Sequence, residues 1–558
     1  MQALDTHDVF NQVDELTGIN LLQSDVALQE ALQRQQAQVF TPALDRFAQQ
    51  LGQKANWEHA ELANRHTPEL QRFDARGRVQ DSVEFHPSWH SLMALYREQG
   101  LISLPFERSD KGRWSAWAAG FYLHGQVEQG TLCPATMTTA AIPVLQKETQ
   151  LWSQLQASLY SHEYDARDVP LSQKKSIWIG MGMTEKQGGS DVRANTTVAR
   201  PIHDGGRGGE YLLRGHKWFF SAPMCDAHLV VARMAAPNGE LGGHACFFVP
   251  RWRPDGSKNP VRIQRLKDKV GNRSNSSSEV ELQDAWGILM GEEGRGIPTI
   301  IEMASYTRLN CVLGSAAIFR TAVVQSIAYA RQRSAFGKIL SDQPLMRCVL
   351  ADLALESEAS MQLGMHLAQA YEREAEGDLL ARAWKRIMTP AAKFWICKRS
   401  VEITGEAMEV FGGNGYVQES IVSRLFREAP VNSIWEGSGN VMCLDVLRAM
   451  GREPEATRLL LQDLINMAAG EPTLTRLAQS LAQRLSAEPD ALEPQARRLV
   501  QDLALLAQAC LLRQHAPAYM ATGFIHTRLG EQSGAMVVGA FNPAAIDLSA
   551  ILQRALPA

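Results

Sequence analysis

The spacing of apolar residues changes twice along the chain, and this pattern limits the folds that it can adopt. Up to about residue 179, apolar residues recur every three or four positions, as in HPSWHSLMALYREQG, which is typical of amphipathic helices. Between about 180 and 286, short runs of β-branched and aromatic residues such as HLVVARM and ACFFVP predict strands. Helical spacing returns from about 287, as in RTAVVQSIAYARQRSAF. The chain is therefore predicted to be mainly α-helical with a central β domain.

The same pattern divides the chain into four predicted domains. They are an N-terminal helical domain (1–179), a β domain (180–286), a helical bundle (287–450) and a C-terminal helical domain (451–558). A chain of 558 residues has room for about three to four domains of roughly 150 residues each. The last segment contains nine arginines, no lysine and ten acidic residues, which leaves a formal charge of −1. Any basic surface there must come from the arrangement of its arginines.

The composition argues against several classes of protein. The formal net charge is −4 and the pI is near 6.4, so no overall positive charge points to nucleic acid or a membrane surface. No apolar run reaches the roughly 18 residues that a membrane span needs, and the polar N-terminus does not resemble a signal peptide. Eight scattered cysteines without a CxxC pair favour neither disulfides nor zinc and fit a reducing cytoplasm. His86 and His90 are four residues apart but have no third ligand nearby in the sequence, so we expect packing rather than a metal site.

Three motifs each allow a functional and a structural interpretation. GMGMTEKQGGSD (180–191) combines small residues with hydroxyls, so backbone N–H groups, Thr184 and Ser190 can reach a phosphate or a polar ring system; alone, it is equally typical of a tight turn. EVFGGNGYVQESIVSRLFRE (409–428) lacks the strand–turn–helix order of a dinucleotide fingerprint, and its glycines more plausibly end a helix and let a ligand approach. ARQRSAFGKILSDQ (330–343) offers a cation, a ring and an amide, although a solvated arginine beside a core phenylalanine is the simpler interpretation.

A fourth motif, NSIWEGSGN (432–440), contains one glutamate between a tryptophan and small residues. Gly437 and Gly439 permit close backbone approaches that a side chain would block. A neighbouring aromatic wall such as Trp435 raises the pKa of a carboxylate and prepares it for proton transfer. Glu436 is therefore a candidate general base, and the alternative is a structural glutamate that caps a loop.

Taken together and in this order, the motifs resemble the acyl-CoA dehydrogenase family of flavoproteins over roughly residues 50 to 450. MTEKQGGSD and EVFGGNGYVQESIVSRLFRE match its two signatures, and RSAFG with Gln343 matches the segment that reaches FAD across a subunit interface. KVGNRSNSSSEVELQDA (269–285) is similar to the strand pair that closes the β domain. Within this family, the AidB branch is the group that four segments resemble most, and that branch belongs to the bacterial adaptive response to DNA alkylation. The segments are MTEKQGGSD, GHKWFFS, LKDKVGNRSN and VNSIWEGSGNVMCLDVLR.

This resemblance implies a fold of a helical domain, a β-barrel-like domain and a helical bundle, with an extra C-terminal helical domain after residue 450. It also implies FAD as cofactor, a homotetramer, binding of duplex DNA, and a weak dehydrogenase activity on acyl-CoA. A genuine acyl-CoA dehydrogenase without a DNA role, acting on a short or branched acyl-CoA, remains the alternative. A flavoprotein scaffold without turnover is a third interpretation.

The resemblance also implies the roles of individual residues. Glu436 is the catalytic base that removes the α-proton of the thioester, while its own backbone N–H and a ribityl hydroxyl of FAD stabilise the enolate. Substrate contacts are implied for Thr184 and Arg308. Contacts to DNA are assigned to Arg448, Arg497, Arg498 and Arg528. Contacts to the cofactor are implied for Met181, Met183, Thr184, Gly189, Ser190, Phe219, Phe220, Ser221, Arg333, Phe336, Gln343, Gly412, Gly413, Ile434, Trp435, Gly437, Ser438, Asn440 and Leu444.

The sequence departs from the usual family pattern at two places. On the flavin-facing strand Phe219 stands where the family has tryptophan, Ser221 where it has threonine and Ala222 where it has asparagine. Ser221 still offers a hydroxyl to the flavin, and Phe219 still offers a ring to cover one flavin face. Lys186 and Gln187 stand where proline and a small residue are frequent, and they are expected to narrow or recharge the substrate entrance.

Overall fold

The computed structural model describes residues 6–235, 239–485, 489–530 and 537–557, and it divides the chain into two compact units. The terminal unit comprises the residues up to Lys54 together with those from Val312 onward. The central unit is Ala55–Cys311. The four domain boundaries inferred from apolar spacing stay predictions. The two units are defined by how the chain packs in space, and one of them combines residues from both ends of the chain.

Helices and one hairpin occupy the chain up to Tyr160. In chain order they are α1 Val26–Arg34, α2 Thr41–Gly52, α3 Lys54–Arg65, β1 Glu69–Phe73, β2 Val79–Glu84, α4 Pro87–Glu98, α5 Leu104–Glu107, α6 Arg113–Val127, α7 Leu132–Leu145 and α8 Thr149–Tyr160, with a 3₁₀ turn at Gln38–Phe40. The β1–β2 hairpin was not predicted from the sequence, because its strands are short and mostly polar. Its turn is fixed by the Asp74 carboxylate, which accepts hydrogen bonds from the backbone N–H groups of Arg76 and Arg78.

The central unit contains a β domain whose strands close on themselves. The strands are β3 Ile179–Gly182, β4 Val198–Pro201, β5 Glu210–Ser221, β6 Ala227–Ala235, β7 Leu241–Pro250, β8 Val261–Leu266 and β9 Ser277–Met290. The strand order is β3-β6-β4-β5-β9-β7 with β8 beside β9, and an additional β6–β7 pairing closes the ring. Leu213, Phe220 and Phe247 lie in its apolar core. This confirms the prediction of a mainly helical protein with a central β-barrel-like domain.

Long helices follow the β domain. They are α9 Gly296–Gln332, α10 Pro344–Ala375, α11 Leu379–Ala383, α12 Thr389–Val410, α13 Gly413–Tyr416, α14 Ile421–Asn432 and α15 Gly439–Arg452, with a short hairpin of β10 Ser334–Ala335 and β11 Lys338–Ile339. A π-helical segment, Trp384–Met388, joins α11 to α12. By length and composition α9 qualifies as a candidate membrane span, but its apolar window is wholly buried against protein. Buried core helices pass the same test.

The C-terminal part of the terminal unit is also helical. Its helices are α16 Pro454–Ala468, α17 Pro472–Leu485, α18 Pro489–Leu492, α19 Ala496–His515, α20 Ala518–Arg528 and α21 Leu548–Ala555. Helix α19 packs on α10 and α12, and its apolar side, which includes Leu499, Leu503 and Leu506, is buried. Helix α21 is held by Arg554, whose guanidinium pairs with Glu30 and Glu358.

A buried carboxylate, Glu128, joins helices and loops of the central unit. It accepts hydrogen bonds from the Ser274 hydroxyl at 2.7 Å, the Thr131 backbone N–H at 2.6 Å and the Asn64 amide at 3.0 Å. Ser274 belongs to the KVGNRSNSSS segment, whereas Thr131 immediately precedes α7. One carboxylate therefore fixes the position of this segment against the helices.

Replacing Glu128 with alanine leaves several buried donors without their acceptor, so we expect a loss of about 3 kcal/mol in stability. The midpoint of denaturant unfolding measures this effect, and Glu98→Ala, which removes an exposed carboxylate of α4, is the matched control. Equal midpoints for the two variants would contradict the role given to Glu128.

Candidate functional site

The glycine-rich segment that follows β3 is organised around a fully buried carboxylate. Glu185 accepts hydrogen bonds from the Lys217 ammonium at 2.8 Å, the Thr197 hydroxyl at 2.6 Å and the Thr196 backbone N–H at 2.7 Å. Burial alone would raise the pKa of Glu185, but the charge of Lys217 and these hydrogen bonds hold that pKa below its ordinary value. Lys217 also donates to the Val231 carbonyl at 2.8 Å. Glu185 therefore stabilises the conformation of segment 180–191 from its buried side.

The hydroxyl residues of this loop lie on its outer side. Thr184 is half-buried and Ser190 is exposed, while the Thr184 carbonyl accepts from the Trp218 backbone N–H at 2.9 Å and so joins the loop to β5. A Cβ added to Gly189 would lie 2.5 Å from the Thr184 hydroxyl oxygen, so a larger residue there would displace that hydroxyl. The loop therefore requires glycine to keep its hydroxyl groups in place.

The end of β5 presents an aromatic ring and a hydroxyl on its accessible face. Phe219 is 52% exposed and Ser221, two residues on, is half-buried. Lys267 lies over the Phe219 ring, with its ammonium 4.6 Å from the ring centroid. An accessible ring on the same strand as a hydroxyl, beside a loop that carries further hydroxyls, fits a flat and polar ring system such as a flavin.

Of three further residues predicted to contact the cofactor, one turns its side chain into the core and two pack partly against an apolar cluster. Phe220 is buried in the barrel core and stacks on His228, with ring centroids 3.9 Å apart. Met181 and Met183 pack against the apolar cluster built from α7, α8 and the neighbouring strands. Strand alternation explains the correction for Phe220, because Phe219 and Phe220 must face opposite sides. Phe220 therefore offers only its backbone to a ligand, whereas Met181 and Met183 are half-buried.

In the terminal unit, the loop between α14 and α15 holds Glu436 in an unusual backbone conformation. Its φ is +59°, in the left-handed region that non-glycine residues avoid, and the φ of Gly437 is +111°. The ammonium of Lys393, which is 1% exposed, donates to the Gly437 carbonyl at 2.6 Å. A strained conformation that the surrounding structure holds in place is typical of functional loops. Lys393 was not singled out from the sequence.

Trp435, which precedes Glu436, is half-buried. The indole N–H of Trp435 is buried and has no acceptor among the residues that the structure describes. Ile434 on the other side of Trp435 is exposed. At the start of the motif Asn432 donates to the Ser315 hydroxyl at 3.2 Å, which ties the loop to α9.

The RSAFG turn carries a highly exposed ring and is held by the N-terminal segment. Phe336 is 98% exposed and has a φ of +54°. The Arg333 guanidinium donates to the Asn11 carbonyl, and the Asn11 side chain exchanges two hydrogen bonds with the Ser334 backbone, of 2.8 and 2.9 Å. Gln343 donates to the Ala335 carbonyl at 3.0 Å. Asn11 is distant in sequence and carries no motif, so sequence reasoning missed it.

The remaining predicted cofactor and substrate residues lie in varied settings. Gly412, with a φ of +59°, follows the end of α12, and Gly413 begins α13 with open space around its Cα. Ser438 is exposed, Leu444 is half-buried on α15, and the Asn440 side chain accepts from Arg497 at 2.7 Å. In the central unit Arg308 is half-buried on the first part of α9.

Of the four arginines assigned to DNA contacts, one is placed wrongly. Arg448, Arg497 and Arg498 are exposed. The Arg528 side chain is only 7% exposed and forms ion pairs with Asp352 and Glu356. These acidic partners lie far away in sequence, on α10, and they account for the charge of Arg528. It is therefore a structural cation that fixes α20 to α10.

A closed β domain with an accessible ring and hydroxyls, and a helical unit with a strained glutamate loop, define a protein of the acyl-CoA dehydrogenase type. The chain belongs to the acyl-CoA dehydrogenase family, whose members bind FAD. The acyl-CoA dehydrogenase middle domain matches residues 180–285, and the acyl-CoA dehydrogenase C-terminal domain matches residues 294–451. The adaptive response protein AidB N-terminal domain matches residues 11–166, which places the chain in the AidB branch.

Individual relatives agree with this assignment. The chain is 46% identical over 534 residues to the putative acyl-CoA dehydrogenase AidB of Escherichia coli K12, covering 95% of both chains. It is 31% identical to acyl-CoA dehydrogenase family member 11 of Caenorhabditis elegans, over 69% of this chain and 63% of that protein.

Solved structures share the fold over nearly the whole chain. The structure described as Bd2924 apo-form has a TM-score of 0.82 at 28% identity, and the match covers 90% of this chain and 99% of that one. Caenorhabditis elegans ACDH-11 in complex with C11-CoA has a TM-score of 0.84 at 24% identity, with 100% and 94% covered. The second likeness concerns the fold alone.

Replacing Arg528 with alanine leaves the buried carboxylates of Asp352 and Glu356 without their cation. We expect a loss of about 3–5 kcal/mol in stability, whereas Arg528→Lys keeps the charge and loses less. Thermal unfolding measures both effects. A variant Arg528→Ala that unfolds at the wild-type temperature would contradict the structural role.

Proposed function

We propose that this protein is an FAD-binding, acyl-CoA dehydrogenase-like protein that binds duplex DNA and takes part in protection from, or repair of, DNA alkylation damage. On this proposal it retains a weak α,β-dehydrogenation of an acyl-CoA. The observation that carries the chemical part is the Glu436 loop, where a glutamate that follows a tryptophan in the sequence has a strained, left-handed backbone conformation. The 46% identity to a protein named AidB supports the role in the adaptive response.

The proposed reaction begins with proton transfer at the α-carbon of a thioester. This proton is weakly acidic, so the base must be desolvated and the developing enolate must be stabilised as the proton leaves. The Glu436 carboxylate takes the proton, Trp435 excludes water from it, and the backbone N–H of Glu436 donates to the thioester carbonyl. Lys393 is a positioning residue, because it fixes the peptide group that follows Gly437 by donating to the Gly437 carbonyl. Bound FAD supplies the acceptor for the hydride that leaves the β-carbon.

Several residues are proposed to contact the flavin cofactor. Phe219 offers a ring to cover the flavin, and Ser221, Thr184 and Ser190 offer hydroxyls to its polar edge. Gly189 keeps the Thr184 hydroxyl in position. Further contacts are proposed for Arg333, Phe336, Gln343, Gly412, Gly413, Ile434, Trp435, Gly437, Ser438, Asn440 and Leu444.

Replacing Glu436 with glutamine removes the base and keeps the shape of the side chain. We expect anaerobic reduction of the flavin by acyl-CoA to fall by at least roughly 100-fold, since general-base catalysis contributes about that much or more. FAD should remain bound, as judged by its visible spectrum. Glu455→Gln, at an exposed position on α16, is the control. A Glu436→Gln variant that bleaches at the wild-type rate would overturn the assignment.

The alternative is a genuine acyl-CoA dehydrogenase with no DNA role. The intact flavin signatures favour it, and the same bleaching assay distinguishes the two functions. Rapid reduction by one member of a panel of short, branched and long acyl-CoAs would favour this alternative. Slow reduction by every thioester would favour the proposed role with DNA.

Three exposed arginines support the proposal that duplex DNA binds to the terminal unit. Arg497 and Arg498 are adjacent in the first turn of α19, and Arg448 lies in the last turns of α15. Arg528 is left out because it is buried and paired. The formal charge of one chain understates such a surface, because assembly brings arginines from several copies together.

The proposed assembly is a homotetramer in the cytoplasm. Phe336, Leu345 and Tyr416 are large apolar residues of the terminal unit, and each is more than four-fifths exposed. Such exposure is unfavourable in water and favours burial against another copy of the chain.

Replacing Arg448, Arg497 and Arg498 together with glutamine should weaken binding of a duplex by roughly tenfold or more at low salt. The slope of log affinity against log salt should become shallower by about 0.9 for each phosphate that the variant no longer neutralises. Fluorescence anisotropy at several salt concentrations measures both quantities, and Arg476→Gln on α17 is the control. If the triple variant kept the wild-type affinity and salt slope, these three arginines would be excluded as a DNA-binding surface.

A further inference from the structure

An irregular segment near the start of the chain, residues 11–16, contacts three parts of the terminal unit, and we call it the N-terminal strap. Its last residue is fixed to α9. The Leu16 backbone N–H donates to the Gln325 side chain at 2.9 Å, and the Gln325 amide donates back to the Leu16 carbonyl at 2.9 Å. Gln325 is buried. The strap is therefore anchored to the helix whose C-terminal end leads into the RSAFG turn.

The other end of the strap binds the RSAFG turn through Asn11. The Asn11 amide N–H donates to the Ser334 carbonyl at 2.8 Å, and the amide oxygen accepts from the Ser334 backbone N–H at 2.9 Å. The Arg333 guanidinium donates to the Asn11 carbonyl. One side chain thus satisfies both backbone groups of a β10 residue, as the opposite residue of a paired strand would.

The RSAFG turn needs support of this kind, because its hairpin is short and its backbone is strained. Strands β10 and β11 pair over two residues each. The turn between them consists of Phe336 and Gly337, whose φ values are +54° and +73°. Positive φ at both positions is typical of a type I′ turn, which favours asparagine or aspartate before the glycine and makes a bulky ring an outlier. A two-stranded hairpin is marginally stable at best when isolated, so contacts from outside must hold this one.

The strap also contacts the glycine-rich segment 412–421. The Gln12 side chain accepts from the Asn414 amide at 3.0 Å. The Glu15 carboxylate accepts from the backbone N–H of Ile421, the first residue of α14, at 2.5 Å. One irregular segment therefore joins the turn that follows α9 to the glycine-rich segment that follows α12.

Left-handed backbone occurs in each of the three joined segments, at Asn11, Phe336 and Gly412, with φ values of +54°, +54° and +59°. Conformations of this kind persist only where the surrounding structure holds them, and they cluster at ligand clamps and other functional sites. Asparagine adopts them more readily than most residues do, whereas phenylalanine does not. The Phe336 ring is at the same time 98% exposed, so packing of the ring within the chain does not explain its strained position.

We propose that Asn11 is a positioning residue for FAD, because the N-terminal strap holds the RSAFG turn and segment 412–421 in the conformations that contact the cofactor. This inference rests on the proposed function, in which Phe336 and Gly412 contact FAD. A binding surface that is already held in place loses less conformational entropy when its ligand binds, and affinity is correspondingly higher. Without the Asn11 side chain the short hairpin has more conformations to lose, and the cofactor dissociates more readily.

Ultrafiltration of the FAD-loaded protein at a series of dilutions tests the proposal, because flavin absorbance in the filtrate gives the dissociation constant of the cofactor. Asn11→Gly removes the side chain and still permits the left-handed backbone. We expect it to raise the dissociation constant by roughly tenfold, as the loss of one or two hydrogen bonds would. Phe336→Ala, which removes a ring proposed to contact FAD directly, should raise it by roughly tenfold as well.

Asn20→Gly is the matched control for Asn11→Gly. Asn20 also ties the N-terminal part of the chain down, but its amide donates to Asp45 of α2 at 2.9 Å instead of to a segment proposed to contact the cofactor. This variant should lower the thermal unfolding midpoint and leave the dissociation constant of FAD unchanged. Thermal unfolding of all three variants is recorded alongside the cofactor measurement.

The outcomes separate the inference from the function on which it rests. Weaker FAD binding by Phe336→Ala with wild-type binding by Asn11→Gly would overturn the role of the strap and leave the cofactor contact standing. Wild-type binding by both variants would exclude the RSAFG turn from the cofactor site and the inference with it. Equal weakening by Asn20→Gly and Asn11→Gly would show general destabilisation and would also overturn the inference.

Discussion

The carboxylate of Glu185 lies where three segments of the central unit meet. The conformation of the glycine-rich segment 180–191 depends on this carboxylate. Lys217 reaches it from β5, and Thr196 and Thr197 reach it from the segment that leads into β4. A buried charge of this kind is tolerated only when it is paired and fully hydrogen-bonded. If one partner is removed, the other charge stays buried and the cost of its desolvation is no longer offset. The loop therefore has few alternative conformations. The hydroxyls of Thr184 and Ser190 therefore lie on a segment whose buried side is held in place by the hydrogen bonds of Glu185.

Much of the architecture could be predicted because it follows from local patterns. Short runs of β-branched and aromatic residues predicted the strands between about 180 and 286. Apolar residues at every third or fourth position predicted the flanking helices. The β1–β2 hairpin could not be found in this way, because its strands are short and polar and its turn depends on the Asp74 carboxylate. Closure of the barrel depends on the pairing of β6 with β7 and of β9 with three partners, which no periodicity reveals.

The candidate site was predictable where motifs carry the information and not where distant residues do. Motif matching predicted roles for Glu436 and for the loop that carries Thr184 and Ser190, and these roles stay predictions. It could not show that Phe220 turns into the core or that Arg528 meets Asp352 and Glu356, about 170 residues earlier in the chain. Lys393 and Asn11 were missed for the same reason, since each reaches its partner across a long separation in sequence. A single sequence gives residue types and spacing, whereas the partners of a charge are set by tertiary packing.

The left-handed backbone at Glu436 has a consequence for how this loop can change. Glycine adopts a φ near +59° without strain, so a glycine at this position could keep the backbone shape of the loop. The shape of the loop and the presence of the carboxylate are therefore separable. A relative with glycine here is expected to keep the loop conformation while lacking the carboxylate that we propose as the base, which is one simple route from an enzyme to a flavoprotein that only binds its cofactor.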